Sequence, residues 1–444
     1  MTTLPMPRAV CLVAVAILAA AMLAQPAAAE PPRSRKEVLD ATLAPYTGPT
    51  VKGVDASTLA GKVMCGYQGW FNCEGDGAEN GWVHWTKRGG TLSEKNVKVD
   101  LWPDVSELGA DERFDTEFKL ADGSKAQVFS SFKRATVLRH FQWMKEYGID
   151  GAFVQRFPVM LRSPRDLRHN NTVLAHCREG ANLNGRTYAV MYDLSGLRAG
   201  QIDDVIEDWR LLRTRMKIAD DAAYLKHKGK PLVAVWGVGF NDKRAYTLAE
   251  CRKLVEFLKT DKEAGGCSVM LGVPTYWREQ NRDAVAEPAL HEVIALGDVI
   301  SPWTVGRYRT SKEATEYAGK TLKADIAWTA QKKIDLLPVV FPGFSWHNMK
   351  GDALDAIPRR KGELLWTQFR EAKQAGATMI YVAMFDEVDE ATAIFKCANE
   401  VPVSKEAGFV TYEGLPADYY LRLTGAGAKL LRGELPIDAA RPGP

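Results

Sequence analysis

The sequence predicts an α/β protein, a (β/α)8 TIM barrel with a long insertion after the first strand. Short apolar runs rich in β-formers alternate with segments of helical period, and the alternation runs through eight units. One stretch, from Asn72 to Ser131, interrupts it between the first strand and its helix. No Gly-rich phosphate loop follows the first apolar run, so the alternative of an open doubly wound sheet loses its main support.

Residues 1–29 read as a signal peptide: Arg8 gives a positive start, Ala9 to Leu23 an apolar core, and Ala27-Ala28-Ala29 a small-residue cleavage site. That core is short and Ala-rich for a membrane span, and no second stretch of spanning length follows. The mature chain is expected to begin near Glu30, to lack a membrane span and to be periplasmic or extracellular. Residues 30–60, rich in Pro and charge, form a lead-in with at most one short helix. Residues 61–432 make the barrel. Its strands are expected at Val63 to Tyr67, Ile149 to Val154, Tyr188 to Tyr192, Leu232 to Trp236, Ser268 to Val273, Val299 to Trp303, Leu336 to Phe341 and Met379 to Phe385. Helices are expected at Lys133 to Tyr147, Arg165 to Leu183, Ile202 to His227, Leu248 to Ala264, Ala284 to Leu296, Lys312 to Lys332, Gly362 to Ala375 and Tyr419 to Leu431. The insertion holds two further candidate strands, Val97 to Leu101 and Gln127 to Ser130. Residues 433–444, punctuated by Pro and Gly, read as a flexible tail.

Charge narrows the partners. With 58 basic and 55 acidic residues mixed along the chain, there is no electrostatic footprint for nucleic acid. Six cysteines follow the signal segment, Cys65, Cys73, Cys177, Cys251, Cys267 and Cys397, without a C-x-x-C pair or a His/Cys cluster. A zinc site and a cofactor are therefore not expected. Cys65 with Cys73, or Cys251 with Cys267, are sequence-near pairs for an oxidising compartment, and buried free thiols are an equal account.

The eighth apolar run turns acidic at once, with Asp386, Glu387, Asp389 and Glu390 following Phe385. In a parallel barrel this is the carboxyl edge, where active sites are built. A helical turn there would set Glu387 beside Glu390 and Asp386 beside Asp389. Neighbouring carboxylates cannot both ionise freely, so an acid and a base coexist near neutral pH, the equipment of glycoside hydrolysis. The plainer alternative is a solvated acidic loop at a helix N-terminus. Residues after the other strands are polar and aromatic. Tyr67, Trp70, Trp85, Gln155, Arg156, Asp193, Trp236, Tyr276, Trp303, Trp346 and His347 are the candidate walls of a substrate cleft, with Phe71, Trp82, His84, Trp102, Trp277, Arg307 and Phe344 near them. Aromatic faces suit the apolar faces of sugar rings and polar groups suit hydroxyls, so an oligo- or polysaccharide is the expected partner.

The run Phe385-Asp386-Glu387-Val388-Asp389-Glu390-Ala391-Thr392 resembles the Phe-Asn-Glu-Trp-His-Glu-Gly-Thr motif of the endo-α-mannosidase branch of glycoside hydrolase families 99 and 71. Bacterial members of that group are often described as xylosidase/arabinosidase. Weaker likeness lies in Tyr67 to Phe71, Trp82-Val83-His84-Trp85, Phe141 to Val154, and Phe341-Pro342-Gly343-Phe344 with Trp346-His347-Asn348. The resemblance implies that Glu390 is the general acid/base. It implies that Glu387 deprotonates the sugar's own 2-hydroxyl, which attacks through a 1,2-anhydro intermediate with retention and without a metal. Asp386, Val388, Asp389 and Ala391 depart from the motif, so mannose specificity does not follow. A non-catalytic carbohydrate-binding barrel and a Ca²⁺ site built on the four acids are the rival readings.

Overall fold

The computed structural model describes residue 2 and residues 34–443. The chain divides into two units, residues 1–31 and 32–444. The expected signal peptide lies outside the described residues but for Thr2, and the second unit is described here.

Apolar runs buried on both faces form the parallel strands. They are β1 (Val63–Tyr67), β2 (Gly151–Arg156), β3 (Thr187–Asp193), β4 (Lys230–Trp236), β5 (Ser268–Pro274), β6 (Val299–Trp303), β7 in two halves (Asp335–Leu336 and Val339–Val340) and β8 (Ile380–Val382). Every residue of β1, β2 and β5 is buried, as expected of strands sandwiched between a filled barrel interior and a helical layer. From β1 to β6 each strand pairs in parallel with the next. Closure falls to β7, which changes partner midway. Asp335 pairs with Val299 of β6, whereas Val339 pairs with Tyr381 of β8, and β8 pairs back to β1 through Ile380 and Val63. Between the halves stands Pro338, which has no N–H to give a ladder but accepts from Tyr381 N–H at 2.9 Å.

The helices are α1 (Arg134–Glu146), α2 (Pro164–Asn184), α3 (Ile202–Thr214), α4 (Leu248–Thr260), α5 (Ala289–Ile294), α6 (Ser311–Tyr317, carried through a wide turn at Ala318–Leu322 into Lys323–Gln331), α7 (Glu363–Ala375) and α8 (Tyr419–Arg432). The lead-in contains one short helix, Arg35–Thr42, started by a capping box between Ser34 and Glu37. Among the described residues no helix is long and apolar enough to cross a membrane.

Several boundaries differ from expectation, for local reasons. The helix expected to reach His227 stops at Thr214, because Lys217 turns left-handed (φ 53°) and Lys226–His227 folds back on β4 through Lys228 and Gly229, both with positive φ (51° and 75°). The helix expected from Ala284 begins only after Pro288, since Val285 N–H is held by Gly239 O at 3.0 Å. In the insertion, Val97 to Leu101 is not a strand but makes single bridges, Val97 to Thr86 and Leu101 to Val410. Lys125–Phe129 does form a strand, paired antiparallel with Arg113–Lys119. The eighth ladder ends at Val382, short of Phe385, because the chain doubles back and Met384 N–H is taken by Thr392 O at 3.2 Å. All six described cysteines are free and buried. Residues 434–443 carry no helix or strand, yet Arg370 Nε donates to Ile437 O at 3.0 Å and Tyr419 Oη to Pro442 O at 3.0 Å.

Candidate active site

The acidic run after β8 is a tight loop, not a helical turn. Thr392 and Ala393 N–H both return to Glu387 O, at 3.2 and 3.0 Å, and Ala391 takes φ 54° where the loop reverses. Each acid therefore faces a different set of partners.

Asp386 is fully buried and receives the backbone N–H of Gln68 at 2.7 Å and of Gly69 at 2.8 Å, so it ties the end of β1 to the end of β8. Burial raises its carboxyl to about 7, with those two hydrogen bonds working against the rise. The tie fixes Gln68, whose side-chain amide donates to Glu387 Oε1 at 2.6 Å. Thr392 Oγ1 donates to the other oxygen, Glu387 Oε2, at 2.7 Å. Glu387 is 3% exposed; burial, then the charge of Glu390, then that of Asp389, hold its carboxyl well above the usual range. Glu390 is raised to about 7 by burial and then by Asp389, while the Trp346 indole and the Lys98 charge act the other way. Two glutamates on one loop thus titrate against each other.

Asp389 behaves oppositely. Burial alone would raise it, but Lys98 and His84 more than offset that and hold its carboxyl below the usual range. Lys98 Nζ lies 2.9 Å and His84 Nδ1 3.0 Å from Asp389 Oδ2, and Lys98 Nζ is also 2.9 Å from His84 Nδ1. Burial lowers the His84 imidazole to about 4, so it is neutral near pH 7, and the tautomer with its proton on Nδ1 is the one that donates to Asp389 Oδ2. Both Lys98 and His84 belong to the insertion. They also line a cavity of about 700 Å³ with Glu79, Asn80, Trp82 and Thr86. The segment between Val97 and Leu101 is strapped across the acidic loop: Asp100 N–H and Leu101 N–H both donate to Val388 O at 3.1 Å. The Asp100 carboxylate then accepts the N–H groups of His347 at 2.7 Å and Asn348 at 2.8 Å, from the loop after β7.

Several expected wall residues gather at this mouth. Trp236 meets Trp303 edge-on at 5.4 Å, and Trp303 lies 6.2 Å from Tyr381, whose phenol feels the charges of Glu387 and Asp193. Gln155 reaches the same phenol at 3.4 Å. Asp193 is close enough to Glu390 to raise its proton affinity, and Trp346 flanks Glu390. Trp70 stacks on His84 at 3.7 Å and on Phe157 at 5.1 Å.

Other expected residues lie elsewhere. Tyr67 is fully buried between β1 and α1, bonded to His140 at 2.9 Å. Trp85 is fully buried against Phe71 and Phe129. Arg156 alternates with Gln155 along β2 and points into the helical layer, where it pairs with Asp208 of α3 at 2.5 Å. His347 turns its ring to Asp352 O at 2.8 Å, and Tyr276 packs under Arg282 at 4.2 Å. Gln68 and Thr392, which contact Glu387, stand in the quoted Tyr67 to Phe71 run and in the acidic motif, whereas Lys98, which contacts Asp389, was not among the expected residues and nothing local to it announces it.

Chemically the mouth offers carboxyls of opposed proton affinity and buried polar atoms without a protein partner: Gln68 Oε1, Gln155 Oε1, Asp389 Oδ1, and the indole nitrogens of Trp70 and Trp236. Donors and acceptors interspersed with aromatic rings match a polyhydroxylated ligand. Among the described residues no three His, Cys, Asp or Glu side chains converge to hold a metal ion.

No protein-family model matches the chain, and no curated protein matches its sequence. Solved structures do. The GH99 endo-alpha-mannosidase from Bacteroides thetaiotaomicron superposes with a TM-score of 0.61 at 16% identity, over 85% of this chain and 99% of that one. Its complex with bis-tris-propane gives a TM-score of 0.60 at the same identity and coverage. A glycoside hydrolase-like protein matches with a TM-score of 0.50 at 10% identity, over 88% of this chain and 98% of that one. At these identities the likeness establishes the fold: a (β/α)8 barrel of the kind seen in the GH99 enzyme.

Proposed function

We propose that the chain is an exported glycoside hydrolase that cleaves a glycosidic bond in a glycan, with Glu387 and Glu390 as its catalytic pair. The observation that carries this reading is the pair itself: two carboxyls on the loop after the last strand, Glu387 buried and Glu390 partly buried, both lifted by desolvation, with Glu390 adding its charge to Glu387. The fold shared with a GH99 endo-alpha-mannosidase supports it and makes α-mannosidic linkages the first to test.

One proton shared by two glutamates gives one acid and one base near neutral pH. Gln68 and Thr392 each donate to an oxygen of Glu387, which works against the rise that burial and the Glu390 charge impose there; the reaction starts from the form in which Glu390 holds the shared proton. Glu390 then protonates the glycosidic oxygen as the bond to the anomeric carbon breaks. Glu387 takes the proton of the neighbouring 2-hydroxyl, whose oxygen closes onto that carbon to form a 1,2-anhydro sugar. Water, deprotonated by Glu390, opens the ring while Glu387 returns its proton, and configuration is retained. Trp236, Trp303 and Trp346 shape the cleft around the sugar rings.

The test compares wild type with Glu387→Gln and Glu390→Gln on a panel of oligosaccharides. Each variant should lose on the order of 10²-fold or more in turnover. An aryl glycoside with a good leaving group should restore the first step for Glu390→Gln alone. Full activity in both variants would refute the assignment. Tight glycan binding by a wild type that cleaves nothing would make the chain a carbohydrate-binding barrel.

A further inference from the structure

The insertion does more than cover the barrel mouth. Its residue Lys98 enters the acidic loop from the far side of the sequence and contacts a carboxylate, Asp389, that takes no part in the reaction proposed above. Asp389 has no exposed side-chain surface, and Lys98 retains 18%. Such a buried charge needs a partner, and both contacts to its Oδ2 come from the insertion. The arrangement is braced. His84 stacks on Trp70 at 3.7 Å, Lys98 stands 5.6 Å over the same ring, and the backbone at Asp100 and Leu101 is bonded to Val388 O. Lys98 is therefore held beside the loop by a stack, an ion pair and the strap, rather than reaching in as a free surface chain.

We propose that Lys98 and Asp389 are positioning residues whose ion pair sets the proton affinity of Glu390, so that the insertion, and not the barrel alone, tunes the acid of the catalytic pair. The proposal rests on the reading of Glu387 and Glu390 given above. Glu390 directly follows Asp389 on the loop, and the groups whose charges or hydrogen bonds act on it include Asp389 and Glu387 of that loop, Asp193 at the end of β3, Lys98 from the insertion and the Trp346 indole from the loop after β7. Asp389 and Asp193 favour the proton on Glu390, while Lys98 and the indole disfavour it. His84, neutral near pH 7, adds no charge and serves to orient the carboxylate.

Opposite charges make opposite predictions, and these can be read without any substrate. In the full chain labelled with ¹³C at glutamate carboxyls, the Glu390 signal is assigned by its loss in Glu390→Gln and followed against pH. Asp389→Asn removes an anion and leaves Lys98 beside the loop, so the Glu390 midpoint should fall by about one pH unit or more. Adding Lys98→Met to that variant removes the cation too, and the midpoint should return towards the wild-type value. An unchanged midpoint in Asp389→Asn overturns the proposal, and so does a double variant that stays as low as the single one. Should Asp389→Asn fail to fold, Lys98→Met alone decides: loss of the cation should make the site carboxyls and His84 together bind an additional proton near pH 7, and no uptake overturns the proposal. A midpoint that moves as described in a protein that cleaves no glycoside would leave the ion pair's role standing and sink the hydrolase reading instead.

Discussion

At the scale of the residue, burial decides which carboxyls keep a proton, and that choice bears on stability as well as on the proposed catalysis. Glu390 titrates at about 7 in the folded protein against 4.5 for an ordinary glutamate, and Asp386 at about 7 against 3.8. Between those limits the unfolded chain has released protons that the folded chain still holds. Folding stability contributed by these groups is complete below the lower value and is lost as pH rises through 7. Glu390→Gln removes one such group. Its stability relative to wild type should therefore increase from pH 4.5 to pH 7 and level off beyond, by an amount on the order of a few kcal/mol at most. Urea midpoints at several pH values measure this, and a difference that stays flat would mean that Glu390 is ionised throughout. The same scale shows where sequence reading reached its limit. Glu387 and Glu390 are legible because contiguous acids follow an apolar run. Gln155 and Arg156 look alike on paper, yet strand alternation sends one to Tyr381 and the other to Asp208.

Among the elements, the strap in the insertion has the largest leverage for its size. Sequence pattern made Val97 to Leu101 a strand, because apolar and polar residues alternate there; instead, its hydrogen bonds go to Val388 and to the loop after β7. The alternation was real, but its partners are loops, and no local signal names a partner that lies hundreds of residues away. Asp100 is the keystone, fully buried and accepting two backbone N–H groups. Asp100→Ala orphans both donors and should cost about 2–4 kcal/mol in chemical denaturation. Asp100→Asn retains one acceptor oxygen and should cost less. Because the strap presses on the loop that carries the acids, Asp100→Ala should also lower kcat. A variant as stable and as active as wild type would show the strap to be dispensable.

For the whole molecule, eightfold alternation pointed to parallel strands buried on both faces, and the missing Gly-rich loop after the first strand turned the reading from an open doubly wound sheet to the barrel. The manner of closure was harder to see. Pro338 stands in the middle of the seventh run, but only the paired partners show that the strand passes from β6 to β8 there. A consequence follows for how the protein comes into being. The acids stand after the last strand and Gln68 after the first, and they meet only where β8 pairs with β1. During synthesis, everything from β1 through the loop after β8 must therefore be made before the proposed catalytic pair can meet Gln68. In refolding from denaturant, helical signal should return early and turnover last, together with the most distant strand pairing. Turnover regained in step with helicity would mean that the first and last strands find each other before the middle of the barrel is built.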